Sequence, residues 1–213
     1  FKREDFAKTV DQLLASPHYG ERWGRHWLDL ARYTDKTASW LNSTASAWLY
    51  RDWVVKALND DLPYNTFVKK QLANDLMAGS DPKDNAALGF LGLSPTYWKE
   101  LQLPPEIIKT TVADEWEEHM DALGRTFLGL AFGCARCHDH KSDPVTQEDY
   151  YAIAGVFASV RITDRPMMKE ELWVPVAKAR EKVAALEKKL AELKKKKSAA
   201  QVLGKKDPEF SRD

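Results

Sequence analysis

The residues best suited to chemistry stand together in one short stretch, 133–140, which reads Gly-Cys-Ala-Arg-Cys-His-Asp-His. It holds the only two cysteines of the chain, Cys134 and Cys137, and His138 directly follows the second one. A chain with this Cys-x-x-Cys-His spacing can be joined to haem by two thioether bonds, while the histidine turns back to ligate the iron. The motif therefore predicts one covalent haem c, with His138 as the proximal ligand.

Three other chemistries use a Cys-x-x-Cys pair. A thioredoxin-like dithiol requires a βαβ context, and no strand-rich segment precedes Cys134. A zinc site would add His138 and His140 to the cysteines, but these four ligands are crowded into seven residues, whereas structural zinc sites use two separated ligand pairs. A disulfide between the cysteines would close a loop too short to add much stability. Haem attachment is the favoured interpretation.

Three further residues of this stretch are candidate partners of the haem propionates. Arg136 and Lys141 carry positive charge, and charge-assisted hydrogen bonds to carboxylates are strong. His140 lies only two residues beyond His138, so it cannot easily reach the opposite face of the same haem. A propionate contact, or a contact that orients another ligand, suits His140 better.

The sixth iron ligand decides between an electron carrier and an enzyme, because axial ligation and access control the reactivity of the iron. His26 is the leading candidate, since we expect it on an apolar helix face between Trp23 and Trp27. The alternative at this position is a core histidine that is hydrogen-bonded to the backbone. Weaker candidates for the sixth ligand are His119, Met120, Met167 and Met168.

An open distal side is the second possibility. Arg22 and His26 are four residues apart and hence on one helix face, the relation that a peroxidase uses above bound peroxide. There the histidine moves a proton and the arginine stabilises developing negative charge. Charged residues on an amphipathic helix are, however, usually solvated or ion-paired. The other polar groups near this pair in sequence are Asp29, Arg32, Tyr33 and Arg51.

Composition excludes several classes of protein. Lysine plus arginine and aspartate plus glutamate number 32 each, so the formal net charge is zero and no basic excess indicates a nucleic-acid partner. The longest apolar run, 127–135, has nine residues, well short of the ~20 that a membrane span needs. The chain starts at Phe1, so we expect a mature piece of a longer protein. Covalent haem attachment normally takes place outside the cytoplasmic membrane, which predicts a periplasmic or other extracytoplasmic location.

Apolar periodicity predicts an all-α fold with long loops. The longest predicted helix carries a buried stripe with Met120 and Phe127 among its members, and it delivers the chain to Cys134. The segment 16–20 should break the first helix from the second, and the polar loop 34–46 has the length of a binding or lid loop. The predicted helices of this part cover residues 4–15, 21–33, 48–59, 65–77, 106–132 and 147–159.

The C-terminal region has a different pattern. After an irregular segment at 160–175, apolar residues alternate three and four apart among lysine and glutamate, which is a heptad seam. The seam spans less than three heptads, which is short for an independent coiled coil. We therefore expect this helix to pack on another domain or on a partner helix, or to form a hairpin with a helix further along the parent protein. We therefore predict a haem domain at 1–165 and, at 166–213, a linker and this helix. The seam residues are Val176, Ala179, Val183, Leu186, Leu190 and Leu193.

Several distinctive blocks follow one another along the first 160 residues. They are SPHYGERW at 16–23, HWLDLARY at 26–33, YRDWVV at 50–55, LPY at 62–64 with QLA at 71–73, and CARCHDHK at 134–141 with DYY at 149–151. In this order they resemble the DUF1549 family, also called the planctomycete-type cytochrome domain PSCyt2.

The resemblance implies a single-haem c-type cytochrome domain from a large secreted bacterial protein. Such proteins often carry another cytochrome domain upstream and a DUF1553 domain downstream, and gene context links them to polysaccharide breakdown. We therefore expect electron transfer to a redox partner protein or another cytochrome domain. Two alternatives stay open: an oxidase- or peroxidase-like haem enzyme that uses Arg22 and His26 on a carbohydrate-related substrate, and a structural haem module that assembles through its C-terminal helix.

Overall fold

Every regular element in the described part of the chain is a helix, and no strand occurs there, which confirms the all-α prediction. The predicted loop at 34–46 falls mostly outside the described residues. No helix in the described ranges combines the length and the apolarity that a membrane crossing requires, as expected. The computed structural model describes residues 3–35, 46–93, 104–160, 163 and 165–203.

The chain forms two compact units, Phe1–Met167 and Met168–Asp213. The assignment of the first to a monohaem domain stays a prediction. Short 3-10 segments at Asn74–Leu76 and Pro82–Leu88 connect the helices α4 and α5. The helices are α1 Arg3–Leu14, α2 His18–Leu30, α3 Ala47–Asn59, α4 Tyr64–Ala73, α5 Gly89–Gly92, α6 Pro105–Leu123, α7 Gln147–Ala158 and α8 Glu170–Leu203.

The start of α2 differs from the prediction. The break between α1 and α2 is shorter than the predicted segment 16–20, because α2 already begins at His18. Pro17 immediately precedes the first turn, where its missing N–H costs no hydrogen bond. Gly20 is therefore a helical residue, and it is buried where α2 packs against α3.

The long helix predicted at 106–132 is also shorter than expected. It ends as an α-helix at Leu123 and continues as one π-helical turn, Gly124–Leu128. Gly129 then adopts a left-handed conformation with φ of 66°, which ends the helix because residues with a Cβ rarely adopt it. The chain turns here, and Phe132 enters the core before the cysteines are reached.

Two hydrophobic cores hold the first unit together. The first core centres on α3, with Tyr50, Val54 and Phe67 buried among aromatic rings from α2, α4 and α5. The second core lies between α6, α7 and the Cys-x-x-Cys-His motif, and Met120 is fully buried in it. A capping box opens α7, since the side chains of Thr146 and Asp149 accept from each other's backbone N–H groups.

The helix α8 begins at Glu170, so the prediction of irregular structure up to residue 175 is wrong for its last six residues. Pro175 lies inside the helix, where it cannot donate the hydrogen bond of a regular turn. The seam side chains of this helix are exposed. The coiled-coil detail stays a prediction.

Replacing Asp84 with asparagine is expected to lower stability in a pH-dependent way. Asp84 accepts a hydrogen bond from Trp53 Nε1 at 2.8 Å and pairs with Lys70 in a partly buried site. Burial acts to raise the pKa of this carboxyl, but the hydrogen bonds from Lys70 and Trp53 and the charge of Lys70 outweigh it and hold the pKa below its usual value. The ionised carboxylate therefore stabilises the fold above its unfolded pKa of about 3.9, and this contribution is lost as pH falls through the lower folded pKa.

Urea unfolding should then show a loss of about 1–2 kcal/mol for Asp84→Asn at pH 7, and a much smaller loss below pH ~3. The matched control is Asp60→Asn, because Asp60 pairs with Lys56 on the exposed side of α3 and such pairs contribute under about 0.5 kcal/mol. A pH-independent loss for Asp84→Asn would contradict the assignment.

Candidate functional site

The Cys-x-x-Cys-His motif begins on one turn of 3-10 helix, Gly133–Arg136, which packs on the second core, and Cys137 and His138 follow this turn directly. Ala135, between the two cysteines, is fully buried there. Cys134 and Cys137 are exposed and are not joined to each other. The turn is thus held from inside by a methyl group while both thiols face outward, where a second molecule can react with them.

His138 is exposed, and one nitrogen of its ring contacts the backbone. The Nδ1 atom lies 2.7 Å from the backbone oxygen of Asp139. A carbonyl oxygen only accepts, so Nδ1 carries the proton and donates it. With Nδ1 donating to the backbone, Nε2 is the nitrogen left to ligate a metal, which is the usual arrangement of a metal-ligating histidine.

Arg136 connects the motif to two helices, α6 and α7. Its Nη1 atom donates to Asp114 at 3.0 Å and to Glu117 at 2.7 Å, both on α6. Its backbone oxygen accepts from Gln147 Nε2 at 3.1 Å and from the Tyr151 hydroxyl at 3.2 Å, both on α7. The hydrogen bonds to Asp114 and Glu117 raise the pKa of the guanidinium. These contacts fix the position of Arg136, and its predicted contact with a haem propionate stays a prediction.

The four partners of Arg136 were not singled out by sequence reasoning. Asp114 and Glu117 are three apart and so lie on one face of α6, and this spacing is the only signal that could have found them. Tyr151 belongs to one of the family-like blocks, but nothing in the sequence shows that its hydroxyl reaches the motif.

Replacing Glu117 with glutamine is expected to destabilise the first unit by about 1–2 kcal/mol, because the change removes the charge that Arg136 and the Tyr150 hydroxyl both contact. Asp114→Asn is the matched control, since Asp114 is more exposed and makes the longer bond to the same guanidinium. Thermal unfolding of both variants measures the difference. An equal loss in the two variants would contradict the ranking.

His140 organises the loop that follows the motif. Its Nδ1 atom accepts the backbone N–H groups of Ser142 at 3.2 Å and Asp143 at 2.7 Å. Its backbone N–H donates to the backbone oxygen of Val145 at 2.8 Å. The Nδ1 atom is therefore occupied, which leaves only the Nε2–H group for the predicted propionate contact. Lys141, the other predicted contact, is exposed.

The predicted environment of His26 is wrong. His26 is exposed, and it packs against Trp23, which is itself 53% exposed, with 5.6 Å between the ring centroids. The buried side of α2 instead carries Gly20 and Gly24, with Trp27 partly buried in the first core. Glycines let α2 approach α3 closely, so the helix rotates to bury them and turns Trp23 outward. The role of His26 as iron ligand stays a prediction, now for an exposed side chain.

The groups expected around a distal pocket do not converge. Arg22 is exposed on α2. Arg32 turns toward α6, where it pairs with Glu118 and Asp121. A cleft of about 770 Å³ between α2 and α3 contains the other three predicted groups, but neither Arg22 nor His26 lines it. Those three groups are Asp29, Tyr33 and Arg51.

His119 is a buried polar residue that sequence reasoning ranked low. It is only 6% exposed, its ring stacks on Phe157 at 5.3 Å, and its Nε2 atom has no hydrogen-bond partner. Burial lowers the pKa of the imidazole and so favours the neutral form. Apolar periodicity placed His119 only beside the buried stripe that contains Met120.

Two of the alternative chemistries find no support. No group of three or more histidine, cysteine, aspartate or glutamate side chains within the described ranges is arranged to hold a metal ion, as the zinc interpretation requires. A thioredoxin-like dithiol requires strands next to the motif, and residues 104–160 contain none.

Comparison with known proteins identifies a family. The family model PSCyt2, described as a protein of unknown function (DUF1549), matches residues 1–162. The matched part includes helices α1 to α7 and the Cys-x-x-Cys-His motif. No curated protein and no solved structure matches the chain.

Proposed function

We propose that this chain, which belongs to the PSCyt2 family (DUF1549), is a c-type cytochrome domain that carries one covalent haem c and transfers electrons in the periplasm. Cys134 and Cys137 would form the thioether bonds, and Nε2 of His138 would be the proximal iron ligand. One observation carries the proposal: two exposed, unjoined thiols on a single turn are followed directly by an exposed histidine whose Nδ1 is held by a backbone oxygen.

The surroundings of the motif suit a flat, largely apolar group with two carboxylates. Tyr151, whose hydroxyl donates to the backbone oxygen of Arg136 in the motif, is 56% exposed and so leaves aromatic surface free for an apolar group. Lys141, which follows the motif along the chain, is exposed and is a cation that can contact a carboxylate. When bound, the haem supplies one-electron redox chemistry at its iron.

The protein's own contribution is positioning. Burial of Ala135 and the contacts of Arg136 with α6 and α7 fix the turn, so the two thiols keep a constant separation. The Asp139 carbonyl accepts from Nδ1 of His138 and so orients the ring. Such a rigid site is expected to change little between oxidation states, which favours electron transfer.

Electron transfer is proposed ahead of enzymatic catalysis because the candidate acid–base pair is poorly placed. Arg22 and His26 are both exposed on α2 and lie outside the cleft between α2 and α3. Groups that handle protons at a reacting centre work best where water is excluded. The partner in this proposal is a redox protein or another cytochrome domain that docks near the exposed motif.

The test is to express the chain in a bacterial periplasm together with a haem-attachment system, and then to denature the purified protein. Haem that stays with the denatured chain supports the proposal, and a chain that releases all of its haem, or carries none, refutes it. Spectra with carbon monoxide and cyanide then separate the two functions. A low-spin haem that binds neither ligand supports a carrier, and a high-spin haem that binds both supports the enzyme.

His26→Ala tests the sixth ligand in the same protein. A change of spin state is expected if His26 ligates the iron. The matched control is His18→Ala, because His18 is another exposed histidine of α2 and contacts Glu21 rather than an aromatic ring. An unchanged spectrum for His26→Ala would remove His26 from the ligand set without affecting the proposal of covalent haem.

A further inference from the structure

The helix α8 carries a continuous apolar seam that is longer than the sequence pattern alone suggested. Because the helix begins at Glu170, Leu172 joins the seam one step before Val176. The six large seam side chains are between 38% and 64% exposed. An exposed seam of this length is the usual contact surface of a coiled coil. We call this surface the α8 seam, and it consists of Leu172, Val176, Ala179, Val183, Leu186, Leu190 and Leu193.

The shape of the α8 seam favours a helical partner over a membrane surface. Its members alternate four and three residues apart, which makes a stripe of two positions in every seven. From Arg180 to Lys194 the positions that flank this stripe hold only charged residues. A helix that lies on a membrane buries a broader face of bulky apolar residues.

The charges beside the α8 seam indicate which kind of helix fits. With Val176 at heptad position a, Lys182 and Lys189 occupy position g, and Arg180 and Glu187 occupy position e. These four side chains are exposed. Positions e and g contact the flanks of a partner helix and set partner choice. Three of the four are cations, so the flanks attract acidic side chains.

A second copy of the chain fits these flanks poorly. In a parallel pair, Lys182 meets Glu187 of the other copy, but Lys189 meets Lys194. In an antiparallel pair, Arg180 meets Glu187, but Lys182 meets Lys189. Each arrangement therefore has one repulsive charge pair for each attractive one. The e and g side chains give no net electrostatic stabilisation to a pair of identical helices.

We propose that the α8 seam docks an amphipathic partner helix whose own apolar seam is flanked by glutamate or aspartate. Such a helix covers the exposed leucines and valines and places a carboxylate opposite Arg180, Lys182 and Lys189. The partner is identified by this chemistry, and the interaction does not depend on haem.

Two synthetic peptides of about four heptads test the proposal. Both carry leucine at positions a and d, but one carries glutamate and the other lysine at e and g. Fluorescence anisotropy measures their binding to the full 213-residue chain. We expect the acidic peptide to bind at least about tenfold more tightly than the basic one, and its advantage to shrink as salt rises.

Three variants of the full chain sharpen the test. Leu186→Lys interrupts the seam and should abolish binding of the acidic peptide. The double change Lys182→Glu and Lys189→Glu keeps the seam and should reverse the preference between the peptides. Glu181→Gln is the control, because position f points away from the seam, and it should change neither affinity. The change in peptide preference caused by the double variant can be measured even if Leu186→Lys unfolds the helix, because the double variant keeps the seam intact.

Equal affinity for the two peptides would overturn the proposal. So would sedimentation showing that the chain pairs with itself through the seam more tightly than it binds the acidic peptide. Binding of the chain to anionic phospholipid vesicles, with neither peptide bound, would assign the seam to a membrane surface instead.

Discussion

A chain in which both Cys134 and Cys137 are replaced by alanine is expected to fold normally and to lose all of its haem on denaturation. The two thiols are exposed and make no disulfide, so their removal opens no cavity and breaks no cross-link. Exposed substitutions of this kind change stability by under about 0.5 kcal/mol. The covalent attachment depends wholly on the two sulfur atoms, so haem retained on the denatured chain should fall to background.

Single variants give the intermediate case. With one cysteine left, one thioether bond can form, and the haem should stay on the denatured chain with a shifted absorption spectrum. His138→Ala should keep covalent haem but lose the spectrum of the wild-type iron coordination, whereas His18→Ala should match the wild type. Retention of covalent haem by the double cysteine variant would show that another residue forms the covalent bond, and this result would refute the proposal.

The motif and the helical class were predictable because both are local properties of the sequence. The Cys-x-x-Cys-His spacing is contained in five residues, and the capping box of Thr146 and Asp149 in four. Family resemblance over the first 160 residues agrees with the family match at 1–162. The chemistry proposed for the site therefore follows from residues that are neighbours along the chain.

The surroundings of the motif were not predictable, because contacts between distant residues make them. Arg136 looks like a cation for a propionate, yet Glu117, 19 residues earlier, engages it. His140 looks like a ligand or an anion contact, yet two backbone amides occupy its Nδ1. A residue type and its spacing show what a side chain can do, whereas the fold decides which of these uses is left.

The error over His26 has a definite physical cause. Apolar periodicity identifies the buried face of a helix by its large apolar side chains, and it therefore predicted that the face with Trp23 is buried. The structure buries the face with Gly20 and Gly24 instead, because two helices approach most closely where side chains are absent. A glycine pair four residues apart carries no hydrophobicity, and periodicity therefore overlooked the contact that fixes the rotation of α2.

That contact leads to the second large prediction, that Gly20→Ala destabilises the first unit severely. A Cβ atom at Gly20 would clash with the backbone oxygen of Val55 and come within 2.8 Å of the Asn59 side chain. Asn59 is itself fixed, since it accepts the Gly20 N–H at 2.7 Å and donates to the backbone oxygen of Pro17 at 2.9 Å. The backbone of α3 cannot move away without opening the first core, which packs around Val54.

Overpacking typically costs about 1–3 kcal/mol, and a clash with backbone that cannot move lies at or above the upper end of this range, whereas the better helix propensity of alanine returns at most ~1 kcal/mol. We therefore expect a net loss of about 2 kcal/mol or more for Gly20→Ala and a melting temperature lower by roughly 5–10 °C. Gly24→Ala is the matched control on the same face, because its Cβ would meet Val55 Cγ2 at an ordinary 3.4 Å. This control should be neutral or slightly stabilising in the same thermal scan. Equal losses in the two variants would mean that α2 and α3 are not in the close contact that turns Trp23 and His26 to the outside.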